Sequence, residues 1–300
     1  MSYLSHKIGI VKDALMGNLM KLKVLYDIRV RQAIKSPARK EKDIIISLTS
    51  YGKRVKGSAI YAIYSLLNQT VGAERIVLWL DEKTYNSENL PKNLRHLCDY
   101  GLEVRYAKDM GAYTKLIHSL KEFPDKHIIT ADDDIYYTKT FIEELAEAHH
   151  RHAKAIIAGY AKMPTTDGDN RLKPYTEWPE YHHVSADFEY DKVKLFPLGW
   201  AGVLYPAHTF DEEVTNEEVF TRLCPKADDV WLYVMGLRCQ AEKRLLKESR
   251  ISYYHTDLIR QLATNDRLTA TNRLEGENDK QLAAVLEHYH EGKNEIINER

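Results

Sequence analysis

The chain has 300 residues, 44% of them hydrophobic, which is enough to build the core of one α/β unit. With 43 Lys and Arg against 44 Asp and Glu, its formal net charge of -1 excludes a protein built throughout to grip a polyanion, so no nucleic-acid partner is expected. No apolar run approaches the ~18 residues of a membrane-spanning helix, and the opening MSYLSHKIGI lacks the continuous apolar stretch of a signal peptide, so a cytoplasmic location is expected.

The charge is unevenly spread. Residues 1–42 hold ten Lys and Arg against three acids, a net +7, and leave the rest of the chain at -8. Within this leader Ile8, Val11, Leu15, Leu19, Leu22 and Tyr26 recur in steps of three and four, which predicts a basic amphipathic helix inside residues 5–35, closed by Ser36-Pro37. Two readings stay open: a helix lying on anionic lipid, peripheral at the inner membrane face, or a helix packed on the domain or on a second subunit.

The body, residues 43–300, then alternates strand and helix. Strands are predicted at 43–49, 75–80, 102–106 and 127–130, with helices at 57–69, 90–100 and 112–121 between them. This is the pattern of a largely parallel sheet flanked by helices. Each strand runs into polar residues: Thr49, Asp81, Asp109 and Asp132. In open parallel sheets ligands gather at the carboxyl ends of the strands. A helix at 141–150 and a strand at 155–158 follow. The polar, aromatic stretch 161–190 is too long for a simple connection and reads as functional. Cys98, Cys224 and Cys239 are odd in number and fit no metal spacing, so they read as reduced thiols.

Asp132-Asp133-Asp134 follow the apolar strand 127–130 directly. Three adjacent carboxylates repel one another unless a cation or hydrogen-bond donors neutralise them, and hard divalent ions prefer such oxygens. Mg²⁺ or Mn²⁺ held by one or two carboxylates usually completes its shell with substrate phosphates. A haloacid-dehalogenase phosphatase also places Asp-x-Asp after a strand. It needs the motif on its first strand, with Thr or Val where this chain has Tyr136.

An apolar strand followed by Asp-x-Asp, midway in a body of this size, resembles the GT-A glycosyltransferases. Three stretches narrow the likeness to bacterial capsule and lipopolysaccharide-cluster glycosyltransferases: Ser47–Arg54, Thr130–Tyr137 and Cys224–Trp231. The resemblance spans residues 43–257 and implies a Rossmann-like GT-A fold, with residues 43–140 as the nucleotide-binding half and 141–300 as the acceptor half. It implies that Asp132 and Asp134 contact ribose and metal, with Asp133 on the donor side. The loop Thr49–Arg54 lies where such enzymes hold the nucleoside, with Tyr51 stacking on the base and Arg54 reaching phosphate. Asp81 and Asp109 are expected near base or ribose, and Lys115 near the diphosphate. Each of these also fits an ordinary surface or capping residue.

In the second half, Leu195–Pro206 reads as a strand interrupted by Gly199 and Gly202, a sign of close backbone approach or a tight turn. Asp228 and Asp229 open a helix. They are either acids favoured by the helix dipole or, as the resemblance implies, the place of the general base, with Asp229 preferred. His255 ends the strand-like run 251–255 and matches the carboxy-terminal histidine that completes the metal site in many GT-A enzymes. Tyr175, Trp178 and Tyr181 are candidates for stacking on an acceptor sugar or for anchoring the long loop. The expected function is transfer of a sugar from a nucleotide-sugar, a UDP-sugar by the resemblance, to a surface-glycan or lipid-linked acceptor. Mn²⁺ or Mg²⁺ is the expected cofactor and inversion the expected outcome. A nucleotidyltransferase and a non-catalytic glycan-binding protein on the same fold are the alternatives.

Overall fold

The computed structural model describes residues 3–28, 34, 36–169, 171–184, 188, 194–246, 249–256 and 276–289, with residues 3–14 as backbone. In chain order the principal elements are α1 (Tyr3–Tyr26), β1 (Arg39–Thr49), α2 (Ser58–Leu67), β2 (Val71–Asp81), α3 (Lys92–Cys98), β3 (Leu102–Ala107) and α4 (Thr114–Glu122). Then come β4 (His127–Thr130), β5 (Ile135–Tyr137), α5 (Phe141–Arg151), β6 (Ile156–Ala158), β7 (Ala161–Lys162), β8 (Glu180–Tyr181), β9 (Phe196–Pro197) and β10 (Val203–Tyr205). The chain closes with α6 (Glu217–Leu223), α7 (Asp228–Arg238), β11 (Lys243–Leu245), β12 (Tyr253–His255) and α8 (Glu277–His288). The expected mixed α/β architecture is present.

The chain forms two compact units that interleave along the sequence. The first takes residues 1–109, 131–146 and 250–266. Its centre is the parallel set β1-β2-β3, in which Thr49 pairs with Trp79 and Asp81 with Ala107. The apolar runs drive this: Ile44, Ile45, Ile46 and Leu48, like Val77, Leu78 and Leu80, are buried on both faces, as parallel strands require. β1 starts at Arg39, earlier than its apolar run. A register shift between Glu41 and Ile45 lets the polar lead-in pair with Val71–Ala73. Helix α2 is buried along nearly its whole length. The short strands β5 and β12 pair antiparallel, with His255 opposite Ile135.

Helix α1 packs on this unit with the face opposite to the one its leucine spacing suggests. Val24 and Ile28 are buried, Asp27 accepts a hydrogen bond from the Tyr64 hydroxyl at 2.6 Å, and Lys21 lies over the Tyr61 ring. At Gly17 a Cβ would collide with the His255 carbonyl oxygen, so glycine permits the close approach of α1 to β12.

The second unit takes residues 110–130, 147–249 and 267–300. Four strands run in the order β11-β6-β10-β4, with β11 parallel to β6 and β10 antiparallel to both of its neighbours. Helix α7 is buried from Val230 to Gly236, which explains its apolar composition on all sides. A small sheet β8-β7-β9 organises the long polar stretch. Its aromatics are anchors: Tyr175 and Trp178 are buried against Phe196, and the Trp178 indole N–H donates to the Lys173 carbonyl. Tyr181 is half-buried on β8. The three cysteines are free thiols.

Candidate active site

In the first unit the parallel strands bring their carboxyl ends to one edge, carrying Thr49, Asp81 and, just past β3, Asp109. The Ala131 N–H donates to the Ser47 carbonyl at 3.0 Å, which sets the aspartate triplet beside the end of β1. That backbone bond ties the residue before the triplet to β1.

Asp133 is 4% exposed and would be a costly buried charge without partners. It has two. The Ser50 hydroxyl donates to Oδ2 at 2.5 Å, and Arg54 Nη1 lies 2.8 Å from Oδ1. The same guanidinium nitrogen is 3.0 Å from Asp134 Oδ2. Burial first, then the Asp134 charge, push the Asp133 carboxyl up to about 7, against the downward pull of Arg54 and Ser50. Burial works against the charge on Arg54, yet Asp134 and Asp133 outweigh it and hold the guanidinium more firmly protonated. Arg54 also lies 5.2 Å from the centroid of the Tyr51 ring, which is 49% exposed at the sheet edge.

The neighbours of this cluster are held in turn. The Asp132 N–H donates to the Tyr137 hydroxyl at 2.8 Å. The Thr256 N–H and hydroxyl both donate to the Asp134 carbonyl, at 2.8 and 3.0 Å, so β12 brings half-buried His255 beside the end of the triplet. The Thr49 hydroxyl donates to the Trp79 carbonyl, and so ties β1 to β2. Asp81 accepts from the Thr84 hydroxyl and the Lys83 N–H, which pull its carboxyl below the ordinary range; it caps a turn. Asp109 is exposed.

This donor set suits a hard divalent cation. Two carboxylates, Asp133 and Asp134, share one guanidinium, Asp132 precedes them in the chain, and the excess negative charge is carried by oxygen. Among the described residues no three His, Cys, Asp or Glu side chains come together as a ready metal cage. Mg²⁺ and Mn²⁺ fit that arrangement, because phosphate and water supply the remaining ligands.

The second unit carries the other candidates. Asp228 and Asp229 stand in the first turn of α7, whose amino-terminal cap, Ala227, provides no side-chain bond. Asp229 Oδ1 accepts the Gly199 N–H at 3.1 Å. Lys115, 6% exposed on α4, has its Nζ 3.6 Å from Asp228 Oδ2. Below them Tyr113 stacks on Phe220 at 4.1 Å between centroids, and its hydroxyl donates to the Cys224 carbonyl at 2.5 Å. The Cys224 thiol donates to the Ala227 carbonyl, and burial pushes its pKa up to about 12. These contacts hold the segment that delivers Asp228 and Asp229. An oriented carboxylate of this kind is equipped to act as a general base.

Ser50 and Tyr113 escape a motif-based reading. A small hydroxyl residue directly after the strand end Ile44–Thr49 is a usable signal for Ser50. For Tyr113, whose partners are 107 and 111 residues away, none exists.

The model for glycosyl transferase family 2 matches residues 54–205, a span that takes in Arg54, Asp81, Asp109, Lys115, the aspartate triplet and Gly199. Among solved structures, S. aureus TarS 1–349 is similar at a TM-score of 0.43 and 15% identity, over 84% of this chain and 73% of that one. A 4-diphosphocytidyl-2C-methyl-D-erythritol synthase is similar at a TM-score of 0.42 and 7% identity, over 70% of this chain and 91% of that one. No curated protein matches the chain significantly.

Proposed function

The chain belongs to glycosyl transferase family 2 and is a glycosyltransferase, and from that premise we propose that it transfers a sugar from a UDP-sugar to a surface-glycan or lipid-linked acceptor, with inversion, in a reaction that depends on Mn²⁺ or Mg²⁺. The observation that carries this reading is the aspartate triplet locked beside the end of β1, with Arg54 bridging two of its carboxylates.

In this reading residues 43–140 serve the donor and 141–300 the acceptor. Thr49, Tyr51, Asp81 and Asp109 receive the nucleoside, with the exposed Tyr51 ring offering a stacking face. Arg54 and Lys115 meet the diphosphate. Asp132 and Asp134 would hold the metal, helped by His255, while Asp133 fixes Arg54. When bound, the ion would offset charge on the departing nucleoside diphosphate. Asp229, with Asp228 beside it, takes the proton from the acceptor hydroxyl. That oxygen bonds to the anomeric carbon as the bond from this carbon to the diphosphate breaks. A place of work at the inner membrane face fits a lipid-linked acceptor. Among the described residues no helix is long and apolar enough to cross a membrane.

The test separates chemistry from binding. Asp229→Asn is expected to lower transfer by about 10²–10⁴-fold while leaving donor affinity unchanged. Undiminished transfer would remove Asp229 from the reaction. Wild-type protein that binds donor but turns over with no acceptor would favour a non-catalytic role.

A further inference from the structure

Helix α1 is apolar on two opposite faces. One, marked by Gly17, Val24 and Ile28, is spent on packing against the first unit. On the other, Leu15, Leu19, Leu22 and Tyr26 are 60%, 49%, 65% and 54% exposed. They stand at intervals of four, three and four residues, so they form one row along the helix. The same spacing in the sequence runs back through Val11 and Ile8. A continuous apolar row of this length on a surface marks a contact, since scattered single residues are the ordinary case.

Charge says what the row meets. In the sequence, residues 1–42 carry a net +7, and Lys23, next to Leu22 in the row, is exposed. Asp27, the acid next to Tyr26, is buried in its bond with Tyr64. An exposed apolar row in a strongly basic segment, with its neighbouring acid buried, is the pattern of a helix lying in the interface of an anionic bilayer. A second copy of the chain would place this basic segment against its own kind across a two-fold contact, which disfavours that occupant.

We propose that the outward row of α1 docks the protein on an anionic lipid surface, with Leu15, Leu19, Leu22 and Tyr26 entering the headgroup boundary and the lysines of the segment meeting lipid phosphates. The proposal names the surface by which the lipid-linked acceptor suggested above is reached, and it rests on that reading for its purpose. Its test is independent, because vesicle binding is measured without donor, metal or acceptor.

The full chain is floated with phosphatidylglycerol-rich vesicles and with pure phosphatidylcholine vesicles, at low and at high salt. Binding to the anionic vesicles, weakened by salt, is expected. The triple variant Leu15→Ser, Leu19→Ser, Leu22→Ser should bind at least roughly tenfold more weakly. Changing Lys7, Lys12 and Lys23 to Gln should cost roughly fivefold per lysine. Both variants should keep the wild-type circular dichroism, because Leu15, Leu19, Leu22 and Lys23 are exposed, and should keep transfer to a water-soluble acceptor. Absence of binding to anionic vesicles, or equal binding by both variants, would overturn the proposal. So would a wild-type dimer that the leucine substitutions dissociate, which would assign the row to a second copy.

Discussion

Gly199 donates its backbone N–H to the Asp229 carboxylate at 3.1 Å, and a Cβ at position 199 would lie 2.6 Å from that oxygen. Gly199, in the turn between β9 and β10, thus leaves room for the acid that it faces. Gly199→Ala is expected to push the carboxylate aside and lower kcat roughly 10–100-fold, with donor Kd within about twofold of wild type. Steady-state kinetics with a separate donor titration checks this. Loss of donor affinity with unchanged kcat would place Gly199 in binding instead.

Arg54 pairs with two carboxylates at once, and its own side chain is 14% exposed. Removing it by Arg54→Ala leaves Asp133 buried without its cation. The expected loss is about 2–4 kcal/mol, at or somewhat below the range for breaking a fully buried pair. Arg54→Lys should recover only part of it, because an ammonium is more strongly hydrated than a guanidinium and costs more to bury at this site. Denaturant unfolding gives the values. Mn²⁺ should raise the Tm of Arg54→Ala more than that of the wild type, since the variant carries a larger uncompensated charge.

Lys243 is buried with its Nζ 5.3 Å from the Tyr233 ring centroid and 3.3 Å from the Ala241 carbonyl. Burial, and then the charge of Lys194, pull its pKa down to about 7 from an ordinary 10.5. Between these values the unfolded chain holds a proton that the folded chain lacks, so stability rises with pH through this window and falls as pH drops toward 7. Lys243→Met should abolish that slope. Its Tm advantage over wild type should therefore be largest near neutral pH and shrink as pH rises. A wild type with no slope relative to the variant would contradict the assignment.

The centre of the first unit is legible because its physics is local. Buried parallel strands are apolar on both faces, so Ile44–Leu48 and Ile76–Leu80 announce themselves, and the polar residues that end them mark one edge. What escapes is decided by partners distant in sequence. The lead-in Arg39–Glu41 looks like part of a charged leader, yet it pairs with β2. The two-residue strands β7, β8 and β9 are too short to show a period. Tyr175 and Trp178 read equally as sugar platforms or as anchors, and their burial against Phe196 decides the matter. The leucine row of α1 is correctly helical in spacing, but spacing cannot say which of two apolar faces packs. The aspartate triplet is plain in the sequence, whereas its clamp by Ser50 and Arg54, 83 and 79 residues away, is a product of the fold.

The most direct measurement is a thermal-shift screen of UDP-sugars with and without Mn²⁺, run on the wild type and on Asp132→Ala and Asp134→Ala. At least one nucleotide-sugar is expected to stabilise the wild type only when the metal is present, by about 2.7 kcal/mol at a hundredfold excess over Kd, and both substitutions are expected to remove the effect. No shift with any nucleotide-sugar, or an undiminished metal-dependent shift in both variants, would contradict it.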